Sequence, residues 1–136
     1  MKMQWILFNI TISNAPLVTV IYWAVLFPSI SADAKGNAMD IMIHGANSSL
    51  ILVELLVNAI PVRILHFYHP MLYAVCYLIF STIYWAVDHS NVIYEYILDW
   101  NHPINTVIAA ASILVYFVLI HFVFYWISRL KRFISK

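Results

Sequence analysis

Charge, glycine and cysteine are all scarce in this sequence. Only 10% of its 136 residues are charged, two are glycine and one, Cys76, is cysteine. A lone cysteine in an apolar stretch excludes a disulfide framework and a cysteine-ligated metal site. Two glycines exclude glycine-rich phosphate loops and collagen-like repeats. A net charge of +1 supplies no field for nucleic acid. Outside the final residues no basic run alternates with aromatics. Neither an internal repeat nor a low-complexity tract is present. The shortage of charge also excludes an ordinary soluble domain, which runs near 25% charged and 45–50% apolar. Here 64% of residues are hydrophobic. A water-soluble fold would have to cover its surface with Leu, Phe and Trp, so lipid is the solvent that fits.

What is present is a set of long apolar runs. A helical span needs about 20 apolar residues, and four candidates appear at 5–27, 40–60, 71–87 and 104–127. The expected fold is therefore an all-α membrane protein, a single transmembrane domain over 1–136 built as a bundle of about four helices. Pro28, Pro61, Pro70 and Pro103 sit at or beside the proposed ends, where a missing N–H costs least. Pro16 falls inside the first span and predicts a kink.

Lys and Arg set the orientation. With four spans, Lys2, Arg63, Arg129, Lys131, Arg132 and Lys136 share one side and Lys35 stands alone on the other. Both termini are expected to be cytoplasmic. Asp33, Asp40, Asp88, Glu95 and Asp99 fall on the outer side. Trp5, Tyr22, Trp23, Tyr84, Trp85, Trp100, Tyr125 and Trp126 cluster near span ends, as interfacial anchors do. A cleaved signal ending at Ala32-Asp33-Ala34 is the rival reading of the N-terminus. The apolar stretch before it exceeds the usual 7–15 residues and holds Asn9, Asn14 and Pro16, so a retained span is expected. The chain reads as an integral, multi-pass protein of the plasma membrane or an endomembrane.

The second span carries the polar chemistry. At about 100° per residue, His44, Asn47, Ser48, Ile51, Glu54, Leu55 and Asn58 fall within about 120° of one another. A charge facing lipid is expensive, so this stripe should face the bundle interior or a wet cavity. Asn47, Ser48 and Asn58 fit interhelical hydrogen bonding, worth about 0.6–2 kcal/mol each. His44 and Glu54 are ionisable and therefore candidates for function. A rise of about 1.5 Å per residue puts Glu54 and His121 at similar depth, so the two are expected to pair if their helices are neighbours. Glu54, Asn58, Ser48 and His121 form the expected intramembrane polar network. His44 and His121 differ in depth by about 19 Å, which argues against bis-histidine haem. Tyr73, Tyr77, Phe80 and Tyr84 make a stripe on the third span. It reads as packing, although its hydroxyls can line a pocket shared with the second helix. His66 and His69 read as a solvated or headgroup-contacting loop, since no acid or cysteine accompanies them there. The basic cluster after the last span meets anionic headgroups.

Five short motifs carry a family resemblance. Trp5-Ile6-Leu7-Phe8-Asn9-Ile10 opens the first span, and His44-Gly45-Ala46-Asn47-Ser48 lies at the start of the second. Leu65-His66-Phe67-Tyr68-His69-Pro70 precedes the third, which closes on Phe80-Ser81-Thr82-Ile83-Tyr84-Trp85. Tyr94-Glu95-Tyr96-Ile97-Leu98-Asp99-Trp100 follows. In this order and spacing they resemble the rolling stone family of animal membrane proteins across nearly the whole chain. That family's named member is associated with fusion of muscle precursor cells, so the resemblance implies a part in cell–cell fusion. Nothing here looks like a fusion peptide or an ectodomain.

More distantly, the chain is similar to the androgen-induced-gene group of intramembrane hydrolases. These cleave fatty acid esters of hydroxy fatty acids with a threonine and a histidine. Their histidine precedes an acid by ten residues, a spacing matched by His44 and Glu54. An alternative register places Asn47 at the catalytic position and removes the base. Six spans are usual in both groups, and this sequence starts at the third, so the threonine-bearing span would lie upstream. Thr11 and Thr19 sit on the next helix instead. Without a nucleophile a histidine cannot run acyl transfer. The leading expectation is therefore a non-catalytic structural or interaction protein, and the alternative is a lipid-ester hydrolase. No cofactor and no metal are expected. Expected partners are membrane lipids, a lipid or fatty-acyl ligand, and a second copy of the chain through a small-residue face such as Ala109-Ala110-Ala111.

Overall fold

The computed structural model describes residues 2–29, 38–90, 92–94 and 97–134. Asp33, Lys35, Glu95 and the Ala32-Asp33-Ala34 signal-cleavage reading lie outside the described residues. Four long helices carry the fold: α1 (Lys2–Ile21), α2 (Ala38–Val57), α3 (Tyr68–Val87) and α4 (Pro103–Ile134). Three stretches are long and apolar enough to cross a membrane, Met3–Leu26, Ile64–Val87 and Pro103–Ile134. In α2 the apolar stretch is the shorter Met42–Val57. Large apolar side chains such as Leu50, Leu72, Val115 and Leu119 are exposed on the outside of the bundle. Lipid is the only medium that accepts such a surface.

Helix α1 is the hub and packs against the other three. Its inward face carries Phe8, Asn9, Ile12, Ser13 and Ala15. Asn9 and Asn14 donate their side-chain amides to the carbonyls of Trp5 (2.8 Å) and Ile10 (2.9 Å), four residues back. These local bonds let polar residues stay in an apolar helix. Pro16 lies within α1, and helical structure continues past it. The departure from α geometry comes later. Tyr22–Leu26 is a π-helical segment, with the Phe27 N–H reaching back five residues to the Tyr22 carbonyl, and Phe27–Ser29 forms a last turn. Periodicity gives no warning of such a segment, because it inserts one residue without breaking the helix.

The other helices depart from their apolar runs for local reasons. Helix α2 stops at Val57 because the Asn58 Oδ1 accepts the Ile60 N–H (2.9 Å), a turn that replaces the next helical bond, and Pro61 follows. The expected loop before the third span is partly helical. Ile64–Phe67 is a 3-10 turn leading into α3, whose first turn includes Pro70. Helix α4 starts on Pro103 and continues seven residues beyond the expected boundary at Ile127. Its 32 residues span about 48 Å, longer than a ~30 Å hydrocarbon core. The change to basic residues marks a polarity boundary and not a helix end.

The linker between α2 and α3 is gripped by α4. The His121 Nε2–H donates to the Arg63 carbonyl (2.9 Å), and the Val62 N–H donates to the Ser128 Oγ (3.3 Å). Lys131 Nζ donates to the Leu55 carbonyl (2.9 Å) and to the Asn58 carbonyl. Lys131 thus turns inward to cap α2, which corrects its reading as a headgroup anchor. A cation at a helix C-terminus satisfies orphan carbonyls and meets the negative end of the dipole. Lys131→Met is expected to destabilise the protein by about 1 kcal/mol. It should also speed amide exchange at Asn58 and Ile60, and unchanged exchange there would argue against the cap.

Candidate functional site

The expected polar stripe on α2 divides. Ile51 (4% exposed) and Leu55 (2% exposed) are its most buried members, flanked by half-buried His44, Ser48 and Asn58. Asn47 and Glu54 are exposed. Glu54 lies about 90° around the helix from the Ser48–Leu55 direction. A 120° arc is wider than the strip that α1 covers, and its margins stay outside. Glu54 accepts a hydrogen bond from the Asn58 Nδ2 (3.4 Å) one turn from the helix end. The expected Glu54–His121 pair does not form, because His121 is committed to the Arg63 carbonyl. Nor do Glu54, Asn58, Ser48 and His121 make one network. Glu54 and Asn58 pair locally, Ser48 joins α1, and His121 holds the linker.

Ser48 and His44 meet a cluster that only the fold assembles. The Thr19 hydroxyl donates to the His44 carbonyl and lies 2.6 Å from the Ser48 Oγ. The Ser48 Oγ is 3.2 Å from the Ala15 carbonyl. The His44 ring stacks on Tyr22, with centroids 3.8 Å apart and planes 11° from parallel. Its Nδ1 is buried without a hydrogen-bond partner. The π-helical turn beginning at Tyr22 brings that ring, 6% exposed, onto α2. Its position near a span end had suggested an interfacial anchor.

His44 and Tyr22 open onto a cavity of about 270 Å³. Helix α1 contributes Asn14, Leu17, Val18 and Ile21 to its wall, and α3 contributes Tyr73, Ala74, Tyr77 and Leu78. Helix α4 adds Ala110, Ile113 and Phe117, while Tyr94, Ile97 and Leu98 close it from the loop after α3. No charged side chain lines it among the described residues. The tyrosine stripe on α3 therefore splits: Tyr73 and Tyr77 face the cavity, whereas Phe80 and Tyr84 do not line it and are exposed. Tyr77 shares a side-chain hydrogen bond with Tyr94.

The loop above the cavity is held by polar side chains. The Trp100 indole N–H donates to the buried Ser81 Oγ (3.1 Å), and the Trp85 indole N–H donates to the Asn101 Oδ1 (3.1 Å). The Asn101 main-chain N–H and amide bond to the Asp99 carboxylate (2.9 Å) and the His89 carbonyl (3.2 Å). At the loop's other edge, Asp88 accepts from the Ser90 N–H and hydroxyl, which hold its carboxyl below the usual range. Trp100→Phe removes one bond worth about 1 kcal/mol. It is expected to speed amide exchange at Ile97 and Leu98 about fivefold, and an unaltered rate would mean that the bond does not hold the loop.

At the opposite end of α1, the Arg63 guanidinium lies 4.8 Å from the centre of the Trp5 ring, and His66 meets the same ring edge-on at 4.5 Å. The His69 Nδ1–H donates to the His66 carbonyl (3.1 Å). This region is a packed corner and not the expected solvated loop.

Comparison with known proteins matches the whole chain. The family described as "Protein rolling stone" matches residues 1–136. A Drosophila melanogaster protein of that name is 31% identical over 140 residues, covering all of this chain and 51% of its own length. The chain thus spans about half the length of that relative. No solved structure matches.

Proposed function

This chain belongs to the rolling stone family, and on that premise we propose that it is a multi-pass membrane protein with a non-catalytic, interaction role in cell–cell fusion, as of muscle precursor cells. The observation that carries the non-catalytic part is the state of the hydroxyls around His44. The Thr19 hydroxyl is held by the His44 main-chain carbonyl and Ser48, and the imidazole is stacked on Tyr22. A nucleophile needs its base within hydrogen-bond reach, and here the hydroxyl meets the backbone of the histidine and not its ring. Thr11 is exposed on α1. In the alternative register the catalytic position falls on Asn47, which is also exposed.

The test is a cell-mixing assay with fusion-competent cells lacking the endogenous protein. Restoring the chain, or its Thr19→Val form, is expected to restore fusion equally. If neither restores it, the fusion role fails. The alternative reading keeps His44 as the base of an intramembrane ester hydrolase whose nucleophile is Thr11, Thr19 or a hydroxyl of a partner chain. It is favoured only if fluorophosphonate labelling of membranes containing the chain is present and is lost in His44→Ala. Epitope tags at both termini that become accessible only after permeabilisation would support the cytoplasmic placement of both ends.

A further inference from the structure

We propose that the cavity between α1, α3 and α4 binds one fatty acyl chain ending in a small, uncharged, hydrogen-bonding group, such as a protonated fatty acid or a fatty alcohol. The size argues for an occupant. An engineered apolar cavity of about 150 Å³ stays dry and takes up benzene, and this one measures about 270 Å³. Left empty, its lining atoms lose dispersion contacts on one side. The bundle surface around it is apolar, so acyl chains are the material at hand.

The lining selects the end group. With no charged side chain in the described wall, an ionic headgroup entering it would lose hydration without a counter-charge. The polar atoms that are present are neutral: the Asn14 amide, the Tyr77 hydroxyl and the His44 ring. The His44 Nδ1 is buried without a partner, whereas buried polar atoms are ordinarily satisfied. Depending on its tautomer that nitrogen donates or accepts. A hydroxyl or a protonated carboxyl does both, so either complements it. The Ile97–Leu98 loop covers the cavity, and the Trp100–Ser81 bond holds that loop in place. The chain must therefore enter sideways, between helices, from the bilayer. This inference stands on the cavity alone, so its failure would leave the fusion reading untouched.

The experiment uses the full chain in nanodiscs with a long-chain fatty acid carrying a diazirine and an alkyne. Cross-links are expected at cavity positions such as Leu17, Tyr77 and Ile113. Excess oleyl alcohol should reduce them at least fivefold, and 1-octadecene, which lacks a polar end, should not. Ala110→Phe fills the cavity and should reduce cross-linking at least fivefold, while Ala86→Phe on the exposed face of α3 should not. If Ala110→Phe does not fold, His44→Phe carries the test. It keeps an aromatic ring over Tyr22 but removes the nitrogen, so the preference for alcohol over alkene should vanish. Cross-links spread evenly over outward positions such as Val115 and Leu119 would overturn the site. Equal competition by alcohol and alkene in the unaltered protein would overturn the end-group assignment.

Discussion

His121→Ala is expected to destabilise the protein by about 3 kcal/mol and to make the α2–α3 linker a protease target. The side chain is 1% exposed and sits between Phe117 and Phe124 on the buried face of α4. Two losses combine. Deleting the ring leaves a cavity beside close-packed neighbours. It also strips the Arg63 carbonyl of its donor, and an orphaned buried carbonyl costs about 1–3 kcal/mol. Arg63 itself is exposed, so trypsin has a cleavage site there as soon as the linker lifts. His121→Gln keeps an N–H donor and should recover part of the loss. Stability in mixed detergent micelles and the rate of cleavage after Arg63 are the two measurements. If His121→Ala is cut no faster than the parent, α4 does not hold the linker through this residue.

Ala15→Leu is expected to cost about 2–3 kcal/mol by overpacking, although the new side chain is as apolar as its surroundings. Ala15 is 4% exposed, and its carbonyl lies 3.2 Å from the Ser48 Oγ across the α1–α2 crossing. Membrane helices have little hydrophobic force between them, so close approach at small residues and interhelical hydrogen bonds carry the association. A leucine at this crossing pushes α2 away and breaks the bonds joining Thr19, Ser48 and His44. Ala111→Leu, on the exposed face of α4, should change stability by no more than about 0.5 kcal/mol. Equal effects from the two substitutions, read from denaturation midpoints, would show that the crossing does not depend on a small residue.

These two residues show what a sequence reveals and what it conceals. The helices were visible because lipid demands long, uninterrupted apolar stretches, and the inward aim of His44 and Ser48 followed from helical spacing. The fate of Glu54 did not. Spacing defines an arc, but only the neighbouring helix decides which part of that arc is covered. Asn9 and Ser13, both 0% exposed, also went unassigned to a role, though polar residues four apart in an apolar run were a usable sign of an inward face. Tyr22 and Trp100 looked like interfacial anchors because composition near a span end cannot separate a ring at the headgroups from one turned into protein. The loop over the cavity depends on side-chain bonds from Trp100, Asn101 and Asp99, which have no periodicity to read.

The extra residue in the turn at Tyr22–Leu26 gives this helix a particular sensitivity to length. Removing one residue there would let the coil close into regular α geometry. Everything beyond it would then rotate by about 100° relative to the buried face of α1. Tyr22 could keep its stack on His44 only if the chain leading to α2 absorbed that rotation. A one-residue deletion between Tyr22 and Phe27 would therefore change the phase of the molecule while leaving its helix content intact.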